Sequence, residues 1–191
     1  MVTKVLPNED LSKLEGTETY ENLKKAFARE ALAVTKYGIY AGLAKADGFV
    51  EIQNIFETTQ HNEEAHAKIW FKILHGDNVT PTLANLKDAT EGEDYEWTEF
   101  YPGFAETAKK EGFPELAELF LKVAKVEESH HDRYDILIRN VEDDSVFKKD
   151  EGIIWECANC GHLEYGLEAP EKCPVCAHPR AYFQRKNDNY I

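Results

Sequence analysis

Two short Glu-x-x-His motifs constrain this chain more than any other feature of its sequence. They run from Glu63 to His66 and from Glu127 to His130, so their starts are 64 residues apart. Each motif lies on a row of apolar side chains that recur every three or four residues, the spacing that puts side chains on one face of an α-helix. A buried carboxylate without a partner is strongly unfavourable. The pattern therefore predicts a metal cation bound in a helical interior.

A lone glutamate precedes each motif at nearly the same interval. Glu30 precedes Glu63 by 33 residues and Glu93 precedes Glu127 by 34, and both lie on apolar stripes of their own. The chain therefore predicts two helical hairpins that contribute to one interior, as in the di-metal carboxylate proteins of the ferritin-like four-helix type. Glu96, one helical turn after Glu93, adds a fifth candidate carboxylate. Oxygen donors with a few imidazoles suit iron or manganese.

The same periodicity, bounded by glycines and prolines, predicts four helices. They are expected over residues 20–46, 50–75, 83–111 and 114–140. Thr17 or Thr19 is expected to cap the first helix, and Pro102–Gly103 to kink the third. The predicted fold class is mainly α: a ferritin-like four-helix bundle over residues 1–147, followed by a small β/loop metal module over residues 148–191.

The C-terminal module contains every cysteine of the chain. Two Cys-x-x-Cys pairs, Cys157/Cys160 and Cys173/Cys176, are separated by twelve residues. This spacing predicts a tetrahedral four-thiolate metal site, and by itself it leaves structural zinc and redox-active iron open. So short a segment cannot build an adequate core, so the metal must hold it together. A small apolar cluster is expected from its aromatic residues Trp155, Tyr165, Tyr182 and Phe183.

Composition excludes several functions. The formal net charge of −14 gives a surface that repels nucleic acid and anionic membranes. No apolar run approaches the roughly 20 residues that span a bilayer, and the N-terminus lacks the apolar core of a signal peptide. We therefore expect a cytoplasmic protein without nucleic-acid or membrane partners. No cysteine lies outside the two pairs, which excludes a thiol peroxidase.

The helical and cysteine motifs together resemble the rubrerythrin family over essentially the whole chain. The motifs that carry the resemblance are Phe27-Ala-Arg-Glu30, Lys45-Ala-Asp-Gly-Phe-Val50, Glu63-Glu-Ala-His66-Ala-Lys68, Gly92-Glu93-Asp-Tyr-Glu96 and Glu127-Glu-Ser-His130. The tail is similar to the rubredoxin-like domain of that family, although Ala177 stands where the second knuckle of many rubredoxins carries glycine.

The resemblance implies a set of ligands for two irons in the bundle and one in the tail. Glu63 and Glu127 would bridge the two irons. Glu30 would bind one iron, and Glu93 and His130 the other. Glu96 would bind the first iron in the oxidised state, and His66 would replace it on reduction. The tail iron would be held by Cys157, Cys160, Cys173 and Cys176, with zinc as a possible substitute. Tyr37 and Tyr101 would lie beside the diiron centre.

The activity implied by the resemblance is that of a non-haem peroxidase that reduces hydrogen peroxide to water and protects against oxidative stress. Electrons would come from a nicotinamide-linked (NAD(P)H) donor, through rubredoxin or a reductase, and a head-to-tail homodimer is implied. Two other functions stay open: a ferritin-like iron-oxidising or storage protein, and an electron carrier whose bundle is only a metal scaffold. The tail favours the peroxidase, because a storage protein does not need a redox module.

Overall fold

The computed structural model describes residues 4–77 and 80–187, which form a mainly helical chain. The chain divides between residues 80 and 81 into two compact units. In chain order the elements are α1 (Glu18–Ala46), α2 (Val50–Leu74), α3 (Thr82–Tyr95), α4 (Tyr101–Lys110), α5 (Pro114–Glu142), β1 (Lys148–Cys157), β2 (Leu163–Glu168) and β3 (Phe183–Arg185). The four predicted helical segments are confirmed to within two residues at each end. Within the described ranges, no helix is long and apolar enough to cross a bilayer.

Helices α1 and α2 form an antiparallel hairpin in the first unit. Of the two threonines predicted as caps, Thr17 is the N-cap of α1, and its hydroxyl accepts the backbone N–H of Tyr20 at 3.1 Å. The pairing of the helices is set by aromatic contacts across the hairpin. The rings of Phe27 and Phe71 lie 5.8 Å apart, and those of Tyr37 and Phe56 lie 6.1 Å apart. This pairing brings residue 30 of α1 level with the end of the first Glu-x-x-His motif.

The segment before α1 is fastened to the end of α2 by a buried aspartate. Asp77 has a left-handed backbone, with φ of 55°, and is 6% exposed. Its carboxylate accepts the backbone N–H of Leu6 at 2.8 Å. The backbone N–H groups of Val5 and Leu6 hold the pKa of Asp77 below its usual range, because they stabilise the ionised form.

In the second unit, α3 and α4 both pack against α5. The contact between α4 and α5 is built on small side chains: Ala105 and Ala108 meet Ala117, with Phe120 packed against them. Alanines let the two helices approach closely, because they present no bulk beyond Cβ. Helix α5 begins at Pro114, as predicted, since the first helical position needs no N–H donor.

The third predicted helix is divided by a π-helical turn over Glu96–Phe100. There the backbone N–H of Tyr101 donates to the carbonyl of Glu96, five residues back. Pro102 follows directly and has no N–H for the carbonyl four residues before it. In the π turn the hydrogen bonds join residues five apart, so the missing N–H of Pro102 does not interrupt the helix and the chain continues into α4. The sequence predicted a kink at Pro102–Gly103 and did not predict the π turn.

The tail folds as a three-stranded antiparallel sheet in the order β2-β1-β3. Strand β1 begins at Lys148 and ends at Cys157, the first of the four cysteines. The core of the tail is a cluster of buried residues: Trp155, Cys157, Ala169, Cys173 and Phe183.

The predicted aromatic cluster is right for Trp155 and Phe183 and wrong for the two tyrosines. Tyr165 is 73% exposed and Tyr182 is 43% exposed. In the β1–β2 ladder Tyr165 pairs with Ile154, the residue before Trp155. Because side chains alternate along a strand, this pair faces away from the core that contains Trp155.

Candidate metal centres

The first unit brings together Glu30 from α1 with Glu63 and His66 from α2. One oxygen of each carboxylate and one imidazole nitrogen all lie within 4.8 Å of one another. Nδ1 of His66 is 3.0 Å from Oε2 of Glu63 and 4.0 Å from Oε1 of Glu30. Both carboxylates are less than a quarter exposed. We call this group the first triad. Its donors converge on a volume that one cation can fill.

The second unit repeats this arrangement with Glu93 from α3 and with Glu127 and His130 from α5. These three also lie within 4.8 Å of one another. Nδ1 of His130 is 2.8 Å from Oε2 of Glu127 and 3.5 Å from Oε2 of Glu93. This is the second triad. In both triads the same ring nitrogen faces the carboxylates, because the three-residue step places imidazole and carboxylate on one helix face.

In each triad the lone upstream glutamate has a raised pKa. For Glu30 the main cause is its hydrogen bond with Glu63, followed by burial. The pKa of Glu63 is lowered by the same bond and by His66, so a proton taken up by the pair is held preferentially by Glu30. For Glu93 burial is the main cause, followed by the charge of Glu127. A bound divalent cation would replace such a proton and let both carboxylates ionise.

The π turn determines where Glu96 and Tyr101 lie. Residues five apart in a regular α-helix are separated by about 140° around the axis, whereas a π turn brings them close together. The pKa of Tyr101 is raised by burial and then by the charges of Glu96, Glu127 and Glu93. The charge of Glu96 also raises the pKa of Glu93. Glu96 therefore lies beside the second triad, although it is not within the 4.8 Å group.

Tyr37 is not a member of the first triad. It lies on α1 two turns beyond Glu30, and its ring packs against Tyr40 and Phe56 at 6.3 and 6.1 Å. Glu96 and His66, which the resemblance makes alternative ligands of one iron, belong to different units.

Two tryptophans of the helical units, Trp70 and Trp97, have polar groups that the apolar pattern of the sequence did not indicate. Their indole N–H groups are buried and have no hydrogen-bond partner among the described residues. Trp70 comes four residues after His66, and Trp97 directly follows Glu96. The available clue was the four-residue step from His66, which places the indole on the helix face of the first triad.

The four cysteines of the tail come together as predicted. Sγ of Cys157 is 3.7 Å from Sγ of Cys176, and Sγ of Cys160 is 3.6 Å from Sγ of Cys173. In a tetrahedral thiolate site with metal–sulfur bonds of about 2.3 Å, sulfurs are about 3.8 Å apart. The observed separations fit such a site.

Backbone amides prepare the thiols for a cation. The backbone N–H of His178 lowers the pKa of Cys176 to about 5. At Cys160 the backbone N–H of His162 acts in the same direction, but hydrogen bonds with the other thiols and burial outweigh it and raise the pKa to about 12. The thiol of Cys176 therefore ionises readily, whereas the thiol of Cys160 keeps its proton until a metal displaces it.

Two family models match this chain. The family model described as rubrerythrin matches residues 21–138, and the rubrerythrin rubredoxin-like domain matches residues 155–184. The rubrerythrin of Clostridium perfringens is 45% identical, over 94% of this chain and 100% of its own length. Rubrerythrin-1 of Clostridium acetobutylicum is 44% identical over the same shares, and the rubrerythrin of Nitratidesulfovibrio vulgaris is 39% identical over the same shares.

The chain belongs to the rubrerythrin family. Its predicted fold class is confirmed: a mainly α, ferritin-like protein with a small rubredoxin-like β module. Its cofactor is iron, and the donors fit this metal, since carboxylates with imidazole suit non-haem iron and four thiolates suit an iron–sulfur site. It is an iron protein of the oxidoreductase class.

Proposed function

We propose that the protein is a peroxidase that reduces hydrogen peroxide to water at a diiron centre formed by residues of both triads. The observation that carries the proposal is the presence, in one chain, of two triads of identical composition and a four-thiolate site. When bound, two ferrous ions would supply the two electrons that one peroxide consumes. The tail site returns electrons one at a time.

The proposed ligands are those of the two triads with Glu96 added. Glu63 and Glu127 would be shared by the two irons, Glu30 would hold the first iron, and Glu93 and His130 would hold the second. Glu96 and His66 are the exchangeable ligands of the first iron. A carboxylate suits the more positive oxidised pair, and a neutral imidazole suits the reduced pair.

Protons are the other requirement, because reduction of one peroxide to two waters consumes two protons with two electrons. Tyr101 is the proposed hydrogen-bond donor to peroxide, since burial and three nearby carboxylates raise the pKa of its phenol. The hydroxyl therefore keeps its proton across the working pH range and can donate a hydrogen bond to peroxide oxygen. Tyr37 is the proposed counterpart in the first unit.

The tail iron is proposed to receive electrons from an NAD(P)H-linked donor, either rubredoxin or a nicotinamide-linked reductase. The four-thiolate site supports one-electron transfer, because its iron is coordinatively saturated and has no open position for substrate. Protection against oxidative stress follows as the proposed physiological role. A head-to-tail homodimer and a cytoplasmic location remain predictions from the sequence.

The decisive experiment compares oxidants and electron routes. Peroxide should oxidise the fully reduced protein far faster than dioxygen, whereas equal rates would favour the ferritin-like iron-oxidising alternative. Cys157→Ser should abolish nicotinamide-linked turnover with a reconstituted donor. The same variant, reduced chemically, should still consume peroxide, because its triads are intact. A carrier with only a scaffold in its bundle would consume none.

A further inference from the structure

One buried polar atom of the first unit has no role in the proposed ligand set: Nε1 of Trp70. Its N–H has no hydrogen-bond partner among the residues that the structure describes. In the tail, by contrast, the indole N–H of Trp155 donates to the carbonyl of Gly166 at 3.1 Å. Burying an N–H donor without a hydrogen-bond acceptor costs free energy, which a nearby acceptor would recover.

The pairing of α1 with α2 places the carboxylate of Glu30 near this N–H. Trp70 is four residues beyond His66 on α2 and so lies one turn further along the same face. Across the hairpin, Phe71 meets Phe27 with ring centroids 5.8 Å apart, and Nδ1 of His66 is 4.0 Å from Oε1 of Glu30. The side chain of Glu30 thus lies between the levels of His66 and Trp70.

The electrostatics of Glu30 agree with this placement. The hydrogen bond with Glu63 and burial are the largest influences, and both raise the pKa of Glu30. The indole N–H of Trp70 acts in the opposite direction, because a donor near the carboxylate stabilises its charge. The N–H is therefore near the carboxylate, and a hydrogen bond between the two would satisfy the buried donor.

We propose that Trp70 is a positioning residue of the first metal site, whose indole N–H holds one carboxylate oxygen of Glu30 and leaves the other oxygen for iron. A glutamate on a helix surface has three rotatable bonds, and a hydrogen bond from a fixed indole removes most of that freedom before the metal arrives. One oxygen is then occupied, so Glu30 binds through a single oxygen. The inference rests on the proposed assignment of Glu30 as a ligand and is independent of the peroxidase reaction.

Nuclear magnetic resonance of the zinc-loaded full chain tests this directly, because zinc is diamagnetic and peroxide is not involved. The chain has three tryptophans, so its ¹H–¹⁵N spectrum contains three indole resonances, and Trp70→Phe and Trp97→Phe assign them. The resonance of Trp70 should lie downfield and exchange slowly with solvent. Glu30→Ala should move it upfield and speed its exchange, while the resonance of Trp155 stays in place.

Glu64→Ala is the matched control for Glu30→Ala. Glu64 is adjacent to Glu63 in sequence but pairs with Lys68 on the exposed side of α2. Its loss removes one negative charge near the triad and should leave the resonance of Trp70 unchanged. If Glu30→Ala leaves that resonance unchanged too, the proposal is refuted.

Zinc affinity provides a second test that does not depend on the folding of Glu30→Ala. Trp70→Phe keeps an aromatic ring and loses only the donor, so zinc binding followed by the imidazole resonance of His66 should weaken about tenfold, the effect of one charge-assisted hydrogen bond. Binding at His130 should not change. Trp97→Phe, which also removes a buried unpaired N–H, should leave His66 unaffected. Equal zinc affinity at His66 in wild type and Trp70→Phe would overturn the assignment.

Discussion

The two Cys-x-x-Cys turns of the tail, which we call the knuckles, have the same backbone shape but different residues directly after their second cysteine. Gly161 has φ of 75° and Ala177 has φ of 61°, both in the left-handed region. No heavy atom lies within 4 Å of the place where a Cβ at Gly161 would stand. A methyl group there would therefore meet no steric contact, and only the backbone conformation would cost energy.

Opposite substitutions at these two positions should therefore have opposite effects on the stability of the tail, and the size of the effect follows from the backbone energies of alanine and glycine. The left-handed conformation costs an L-residue about 1–2 kcal/mol. Glycine, however, loses about 0.4–1 kcal/mol more than alanine in conformational entropy on folding. The net cost of alanine relative to glycine at such a position is therefore about 0.5–1 kcal/mol. We expect Ala177→Gly to stabilise the iron-loaded tail by this amount and Gly161→Ala to destabilise it by the same amount.

The assay is loss of the thiolate-to-ferric absorption band of the full chain at equilibrium in denaturant. The free energies correspond to about two- to fivefold changes in the unfolding constant of the tail. The double variant with both substitutions should return close to wild type, since the knuckles lie on separate turns and their backbone costs should add. The reasoning is wrong if Ala177→Gly is neutral or destabilising while Gly161→Ala is harmless.

Three further predictions concern the triads, the N-terminal segment and the tail core. Glu96→Ala should retain iron but slow peroxide turnover at least tenfold in stopped-flow assays, whereas Glu99→Ala, an exposed acid in the same π turn, should not. Asp77 has a lowered pKa, so its contribution is complete above about pH 4, the unfolded value, and is lost as pH falls through the folded value. The protection factors of the N-terminal segment against hydrogen exchange, which are relative to the intrinsic rate at each pH, should therefore fall at acid pH, and Asp77→Asn should show this already at pH 7. Trp155→Phe removes the hydrogen bond from the indole N–H to the carbonyl of Gly166 and opens a small cavity, and should destabilise the tail by about 2–4 kcal/mol in a denaturant titration.

The helices and the ligand candidates were predictable because each depends on local spacing. Gly48 and Gly76 end α1 and α2 where they were expected to, and Pro114 begins α5. A three-residue step on a helix can place its two side chains only on one face. The triads therefore follow from the sequence once the hairpins form.

The features that were missed depend on information beyond periodicity. A π turn is defined by its backbone hydrogen bonds, and the spacing of apolar residues in a sequence does not reveal one extra residue in a turn. Tyr165 was placed in the tail core because it is aromatic, but the register of β2 against Ile154 turns it outward. The polar role of Trp70 stayed hidden because tryptophan counts as apolar in any hydrophobic pattern, although its N–H behaves as a donor.

The π turn at Glu96–Phe100 has a consequence for how this protein can change. If the same residues formed an ordinary α-helix instead, every position downstream would rotate by about 100°. Ala105 and Ala108 would then leave their contact with Ala117, and a bulkier side would face α5. The alignment of Tyr101 with the acids and the packing of α4 against α5 thus depend on the same turn, and a substitution that converts it to α-helix loses both.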